Sequence, residues 1–153
     1  SMCTSFMSEL MTGTHNFGTA PIRAASTADT FKAALYLASA TINASTTAYS
    51  ATGEASGAGY SAGGVSVTNA TPPSSTNASA TAGVAYWTPS ASITYTSVTL
   101  TTAFDTVLIY NNTQSNKAVS VHTFGSQTVT AGTFTLTMPS NTTTAALLRL
   151  ATT

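Results

Sequence analysis

The chain is 153 residues long with a formal net charge of zero, and charged side chains make up only 5% of it, against about a quarter in ordinary soluble domains. This length fits one domain, residues 1–153, able to bury about two thirds of the surface its unfolded form exposes. With four basic residues and no basic cluster, it lacks the concentrated Lys and Arg that hold phosphate backbones or anionic lipid, so no nucleic-acid and no membrane partner is expected.

Water is met instead by Thr, Ser and Asn, and a net charge near zero removes the repulsion that keeps free proteins apart, which suits a component of a fixed assembly. Cys3 is the single cysteine, so no internal disulfide forms and no role is assigned to it. Ser1 ahead of Met2 reads as the remnant of a removed tag, with Met2 as the natural start. Neither a basic n-region nor an apolar run of signal-peptide length follows, which leads us to expect synthesis in a cytoplasm.

The first predicted element is a short helix over residues 4–13. Thr4 or Ser5 serves as its cap, Phe6/Leu10 and Met7/Met11 fall four apart on a shared stripe, and Gly13 is the stop. After Pro21 the period changes. In TFKAALYLAS, Phe31, Ala33, Leu35 and Leu37 alternate with Lys32, Ala34 and Tyr36, the pattern of a half-buried strand. Further strands are predicted in GGVSVTN, AGVAYWT, ASITYTSVTL, FDTVLIY, KAVSVHTF, GTFTLTMP and AALLRLA. TVLIYNNTQSNKAVSVHTF reads as a hairpin, because its Asn-rich middle tolerates the left-handed backbone that a tight turn requires. Residues 68–83, TNATPPSSTNASATAG, read as a long exposed loop. The fold class expected from this order is all-β: an antiparallel β-sandwich or jelly roll of about eight strands with one short N-terminal helix.

One motif invites a ligand reading. TGEASGAGYSAGG, residues 52–64, gathers Gly57, Gly59, Gly63 and Gly64 as a phosphate-binding loop does. Such a loop needs a Lys, a Ser or Thr for magnesium and a helix behind it, whereas here no Lys is present and the strand-like VSVTN follows. The glycines are therefore expected to form a structural turn, with Glu54 accepting hydrogen bonds from the loop's own amides. His15 and His122 are the only side chains that titrate near neutrality unaided, and Glu9, Asp29, Glu54 and Asp105 stand singly along the sequence. With no paired carboxylates, nucleophile motif or metal-ligand spacing, no catalytic residue, cofactor or metal is expected.

Trp87 and Tyr86, with Tyr60 and Tyr95, offer either a platform for a partner or core filling, and strand alternation favours turning one of the Trp–Tyr pair inward. The Asn-x-Ser/Thr sites at Asn43, Asn69, Asn77, Asn111 and Asn141 are taken as products of the composition. Threonines alternate in TFTLTMP and TSVTLTT without a sustained array, so no ice-binding face is expected.

The segments CTSFMSELMTGTHNF, TFKAALYLASATINASTTAYSATGEASGAGYSAGG, LIYNNTQSNKAVSVHTFG, GTFTLTMP and AALLRLA, in that order, resemble a family of small virion structural proteins of tailed bacteriophages. That family's pattern is a helix ending in a histidine or aromatic segment, a strand near F-K-I-A-L-Y, a turn near E-V-S-G-x-G-Y-x-A-G-G and a strand and turn around L-I-Y-N. The likeness covers nearly the whole chain, and its most specific pieces are residues 54–64 and 108–111. It departs in the middle, where AYWTPSASITYTSVTLTTAFD replaces an acidic, aromatic segment with an Arg-Gly ahead of L-I-Y-N, so no partner contact is carried over through that stretch.

The resemblance implies a non-enzymatic capsid decoration or head-surface protein acting by assembly, located in the virion after synthesis in the host bacterial cytoplasm. Expected partners are copies of itself, as a trimer before a dimer, and other virion proteins. The alternative is a tail or fibre-tip protein recognising a host glycan or surface protein. In either case Trp87, Tyr86, Asn112 and Asn116 are the candidate contact residues, with the hairpin turn and the 68–83 loop as contact surfaces.

Overall fold

A computed structural model describes residues 1–17, 27–69, 73–76 and 83–151. In chain order it contains α1 (Thr4–Met11), β1 (Phe31–Leu37), β2 (Val65–Val67), β3 (Ser74–Ser75), β4 (Val84–Trp87), β5 (Ile93–Asn111), β6 (Lys117–Leu136) and β7 (Leu148–Ala151). The strands form two antiparallel sheets, β2-β1-β5-β6 and β3-β4-β7. The protein is thus an all-β sandwich with one short N-terminal helix.

Helix α1 ends as Gly13 predicts. Gly13 sits at φ +69°, its N–H donates to Leu10 O, and Thr14 N–H reaches back to Glu9 O, the paired bonds of a Schellman motif. Its start differs from the expectation: Cys3 is the N-cap and no side chain caps the helix, because Cys3 and Thr4 are held from outside through Cys3 N–H to Val119 O and Thr4 N–H to Ala44 O. The apolar stripe also divides. Phe6 is buried and Leu10 half-buried, whereas Met7 and Met11 face outward.

Strand β1 is not half-buried: Ala34 and Tyr36, expected on the open face, are as buried as Phe31, Ala33 and Leu35. Two neighbours cover the two faces. Phe31 stacks on Phe17 at 4.4 Å and meets Trp87 at 6.1 Å, while Tyr36 donates to the Ser50 carbonyl.

Fewer and longer strands replace the expected eight. ASITYTSVTL and FDTVLIY merge into β5, 19 residues long, and KAVSVHTF and GTFTLTMP merge into β6, 20 residues long. Pairing resumes across the connecting segments TTA and GSQTVTA, from Leu100 with Val129 to Phe104 with Gln127, through register shifts, so bulges absorb the extra residues where turns were expected. Ser97 and Ala131, at φ +52° and +45°, mark these irregularities. The hairpin turn forms at residues 112–116, with Ser115 and Asn116 in the left-handed region at φ +54° and +58°. Within the expected 68–83 loop, Ser74 and Ser75 pair with Tyr86 and Ala85 as strand β3; residues 70–72 and 77–82, including Asn77, lie outside the described residues.

Candidate functional site

The glycine-rich stretch runs from the β1 edge across to β5. Ala55 N–H donates to Leu35 O and Leu37 N–H to Gly53 O, and the chain then reaches β5, where Thr99 N–H donates to Ala58 O at 2.8 Å. So close an approach requires glycine three times, and a Cβ on Gly57 would collide with the Thr99 carbonyl. Gly64 lies at φ +72°, and a Cβ on it would collide with the Ala33 carbonyl; Gly59, at φ +78°, would do the same with that of Ser97.

Glu54 organises this crossing. Its Oε1 accepts Tyr60 OH at 2.8 Å and Gly63 N–H at 2.7 Å, and its Oε2 accepts Tyr49 OH at 2.7 Å. Tyr60 OH in turn accepts Leu35 N–H, Tyr110 OH donates to Gly63 O at 2.8 Å and Tyr95 OH donates to Ala33 O at 2.8 Å. Burial pushes the Tyr36 and Tyr110 phenols up to about 12, with the Glu54 charge adding to the effect. Tyr49, Tyr60 and Tyr95 are raised further for the same two reasons. All five phenols therefore remain protonated donors at neutral pH. A carboxylate saturated by three donors, among phenols that keep their protons, offers neither a general base nor a nucleophile; it fastens the loop.

A second polar cluster gathers residues that are far apart in sequence. His15 Nε2 lies 2.7 Å from Glu9 Oε2, Lys117 Nζ 3.0 Å from Glu9 Oε1, and Asn111 Nδ2 both 3.0 Å from His15 Nδ1 and 2.7 Å from Asp29 Oδ2. Asn111 Oδ1 accepts the N–H groups of Thr113 and Gln114, which fixes the amide orientation. With Nδ2 as donor, His15 Nδ1 must accept, so the ring is the neutral tautomer donating from Nε2 to Glu9. Burial would raise the Glu9 carboxyl, but hydrogen bonds from His15 and Lys117 outweigh it and hold the group below its ordinary range. The His15 side chain is wholly buried and packs edge-on against Phe6 at 4.9 Å. Both ring nitrogens are engaged, so the cluster locks α1, the segment before β1 and the hairpin turn together rather than presenting a base to solvent.

Glu9 and Asp29 thus stand singly in the sequence but meet around His15 in the fold. No local spacing signals this, because the contributing segments THNF and LIYN lie far apart in the chain. Among the described residues no group of His, Cys, Asp and Glu could hold a metal ion. No helix among them is long and apolar enough to cross a membrane.

The candidate contact residues divide. Trp87 is 2% exposed, packs against Phe17 at 4.8 Å and helps line an apolar hollow of about 90 Å³ with Phe6, Leu10 and Leu148, so it fills the core and is not an open platform. Its Nε1 finds no partner among the described residues. Tyr86 is half-exposed beside it. At the hairpin turn Asn112 is exposed, while the Asn116 carbonyl accepts Tyr49 N–H at 2.9 Å and ties the turn to the loop before Glu54. His122 is half-buried on β6, with Nε2 3.0 Å from Ser120 Oγ. The Cys3 thiol is buried, which pushes it up from its ordinary value.

No family model matches the chain, and no curated protein or solved structure is significantly similar to it.

Proposed function

We propose that the chain is a non-enzymatic structural protein of a tailed-phage virion, a capsid decoration or head-surface component that acts by associating with its own copies and with other virion proteins. One observation carries this reading: four of the described titratable groups are tied up within the fold, while the surface of the long β5–β6 pair is hydroxyl-rich. Glu9, His15, Asp29 and Glu54 are bound by neighbours. Thr94, Thr96, Thr101, Thr102, Thr133 and Thr135 face outward. A rigid scaffold with an uncharged outer face associates through shape, apolar contact and neutral hydrogen bonds, all of which salt screens weakly.

Co-sedimentation with phage shells lacking their surface protein tests the reading. Binding should persist from about 0.05 to about 1 M salt, with no binding to host cells. Binding to cells or glycans with none to shells would overturn it in favour of a tail or fibre-tip protein. That second role was drawn through Trp87 and the 68–83 loop, and the burial of the indole leaves Trp87 out of it.

A further inference from the structure

The four-stranded sheet has two very unequal edges. On one side is β2, only three residues long; on the other is β6, with 20. The outer side of β6 is covered only near its start, where Ala48 bridges to Lys117, Met2 bridges to Ser120, Cys3 N–H donates to Val119 O and Val121 N–H donates to Ser1 O. From residue 123 to residue 136 no described residue pairs with that side. At about 3.3 Å per residue this leaves roughly 45 Å of strand edge with no backbone partner among the described residues; the Gly125 carbonyl accepts from its neighbour Gln127 Nε2 at 3.1 Å.

Strands that stay solitary usually carry Lys, Pro, an inward charge or bulges along such an edge, and of these β6 has only the bulges. Here no charged residue and no proline occurs from residue 118 to residue 138. The side chains exposed along the edge include Thr123, Thr128, Thr130, Thr133 and Thr135, good strand formers that impose no repulsion on an approaching strand. Bulges near Ala131 and between Gly132 and Phe134 kink the edge, and beyond them Phe134, Thr135 and Leu136 run in regular register against Tyr95, Thr94 and Ile93.

We propose that residues 123–136 of β6 pair antiparallel with the same residues of a second copy, joining two sheets across a twofold axis. The inference rests on the self-association in the proposed function, not on its virion location. A second copy fits this edge because the contact is self-complementary: each chain brings the same row of donors and acceptors, and neither brings a charge that would oppose its own image. The geometry favours two copies over three. A threefold ring joined edge to edge through this sheet would set β6 of one copy against β2 of the next, and β2 is three residues long. Pairing of β6 with β6 uses up the long edge and closes. A strip about 45 Å long and about 10 Å wide gives roughly 450 Å² on each copy, or about 900 Å² in total, which is below the range of stable specific interfaces and in that of weak, transient ones, so the dimer should be concentration-dependent.

Light scattering after size exclusion, from about 10 to about 500 μM, should show wild-type protein passing from one copy to two with little effect of salt. Thr128→Lys with Thr130→Lys, both exposed at the middle of the segment, places four like charges beside the axis; it should weaken dimerisation at least tenfold while leaving the dilute-solution melting curve unchanged. Thr12→Lys with Ser56→Lys adds the same charge away from the edge and should dimerise like wild type. In hydrogen exchange, alternate amides within residues 123–136 should become protected as concentration rises. A wild type that stays monomeric throughout, a lysine-edge variant that still dimerises, growth beyond two copies, or an edge that pairs only with a different protein would each overturn the inference. Failure of shell binding would count against the virion role and leave the edge result standing.

Discussion

The two halves of the β5–β6 pair are built from the same backbone pairing and end in opposite environments. Near the hairpin turn, residues 106–111 of β5 and 118–121 of β6 are buried without interruption, because β1 pairs along one side and residues 1–3 run along the other. Far from the turn, burial alternates: Ile93, Tyr95, Val98 and Leu100 turn inward while Thr94, Thr96 and Ser97 face water. The residue types follow the neighbours, with VLIY where the strand is enclosed and Thr at alternate positions where one face is open. A strand's character is therefore set segment by segment, by how many elements flank it, and not once along its length.

The enclosed half should be intolerant of change and the open half forgiving. The largest effect is expected at Gly64, which lies against β1 in the enclosed half. Gly64→Val combines a left-handed backbone position with a side chain driven into the Ala33 carbonyl, and should cost about 4 kcal/mol or more in urea unfolding. A loss below about 1 kcal/mol would mean that the crossing loop can lift away from the sheet. Next comes a matched pair. Leu108 is wholly buried near the turn, so Leu108→Ala should cost about 3 kcal/mol, whereas Val129→Ala on the open half should cost about 1 kcal/mol or less. Equal losses would break the contrast. Glu54→Gln should fall between these, at about 2 kcal/mol, because an amide cannot accept from Tyr49, Tyr60 and Gly63 as the carboxylate does.

How much of this the sequence shows depends on whether the signal is local. The helix and its glycine stop, the hairpin turn with left-handed Asn116, and the strands at β1, β2, β4 and β7 all follow from spacings within a few residues. The merging of four expected strands into β5 and β6 does not. GSQTVTA looks like a break, and only its partner across the sheet shows that bulges carry the pairing through it. The double burial of β1 was hidden similarly, since Ala34 and Tyr36 are covered by elements remote in sequence. Of the polar clusters, the tie from Glu54 to its own loop was readable from proximity. The meeting of Glu9, His15, Asp29 and Asn111 was not, because it spans |i−j| separations up to 96. Yet the motifs touch in space: Tyr110 of LIYN bonds Gly63 of the glycine-rich turn, and Asn111 bonds His15.

His122 stands where the enclosed half gives way to the open one, so its protonation reports on that boundary. Burial lowers the imidazole to about 4, with the Ser1 amino group contributing, against about 6.5 in the unfolded chain. The folded-state value is thus the lower of the two, and between these values the unfolded chain binds a proton that the folded chain does not. Stability should accordingly fall as pH drops from about 6.5 to about 4 and be unaffected by this group above that window. The full separation corresponds to about 3 kcal/mol, and partial contact of the ring with solvent reduces the expected loss to about 2 kcal/mol or less. Glu9 does not mimic the effect. Its carboxyl is held below its ordinary value of 4.5, so the stability it contributes is present above that pH and is lost only as pH falls further. Urea unfolding of wild type and His122→Asn from pH 7 to pH 4.5 separates the two groups: the substitution should flatten the slope in that window. An unchanged slope would place His122 in water and move the boundary between the halves back towards the turn.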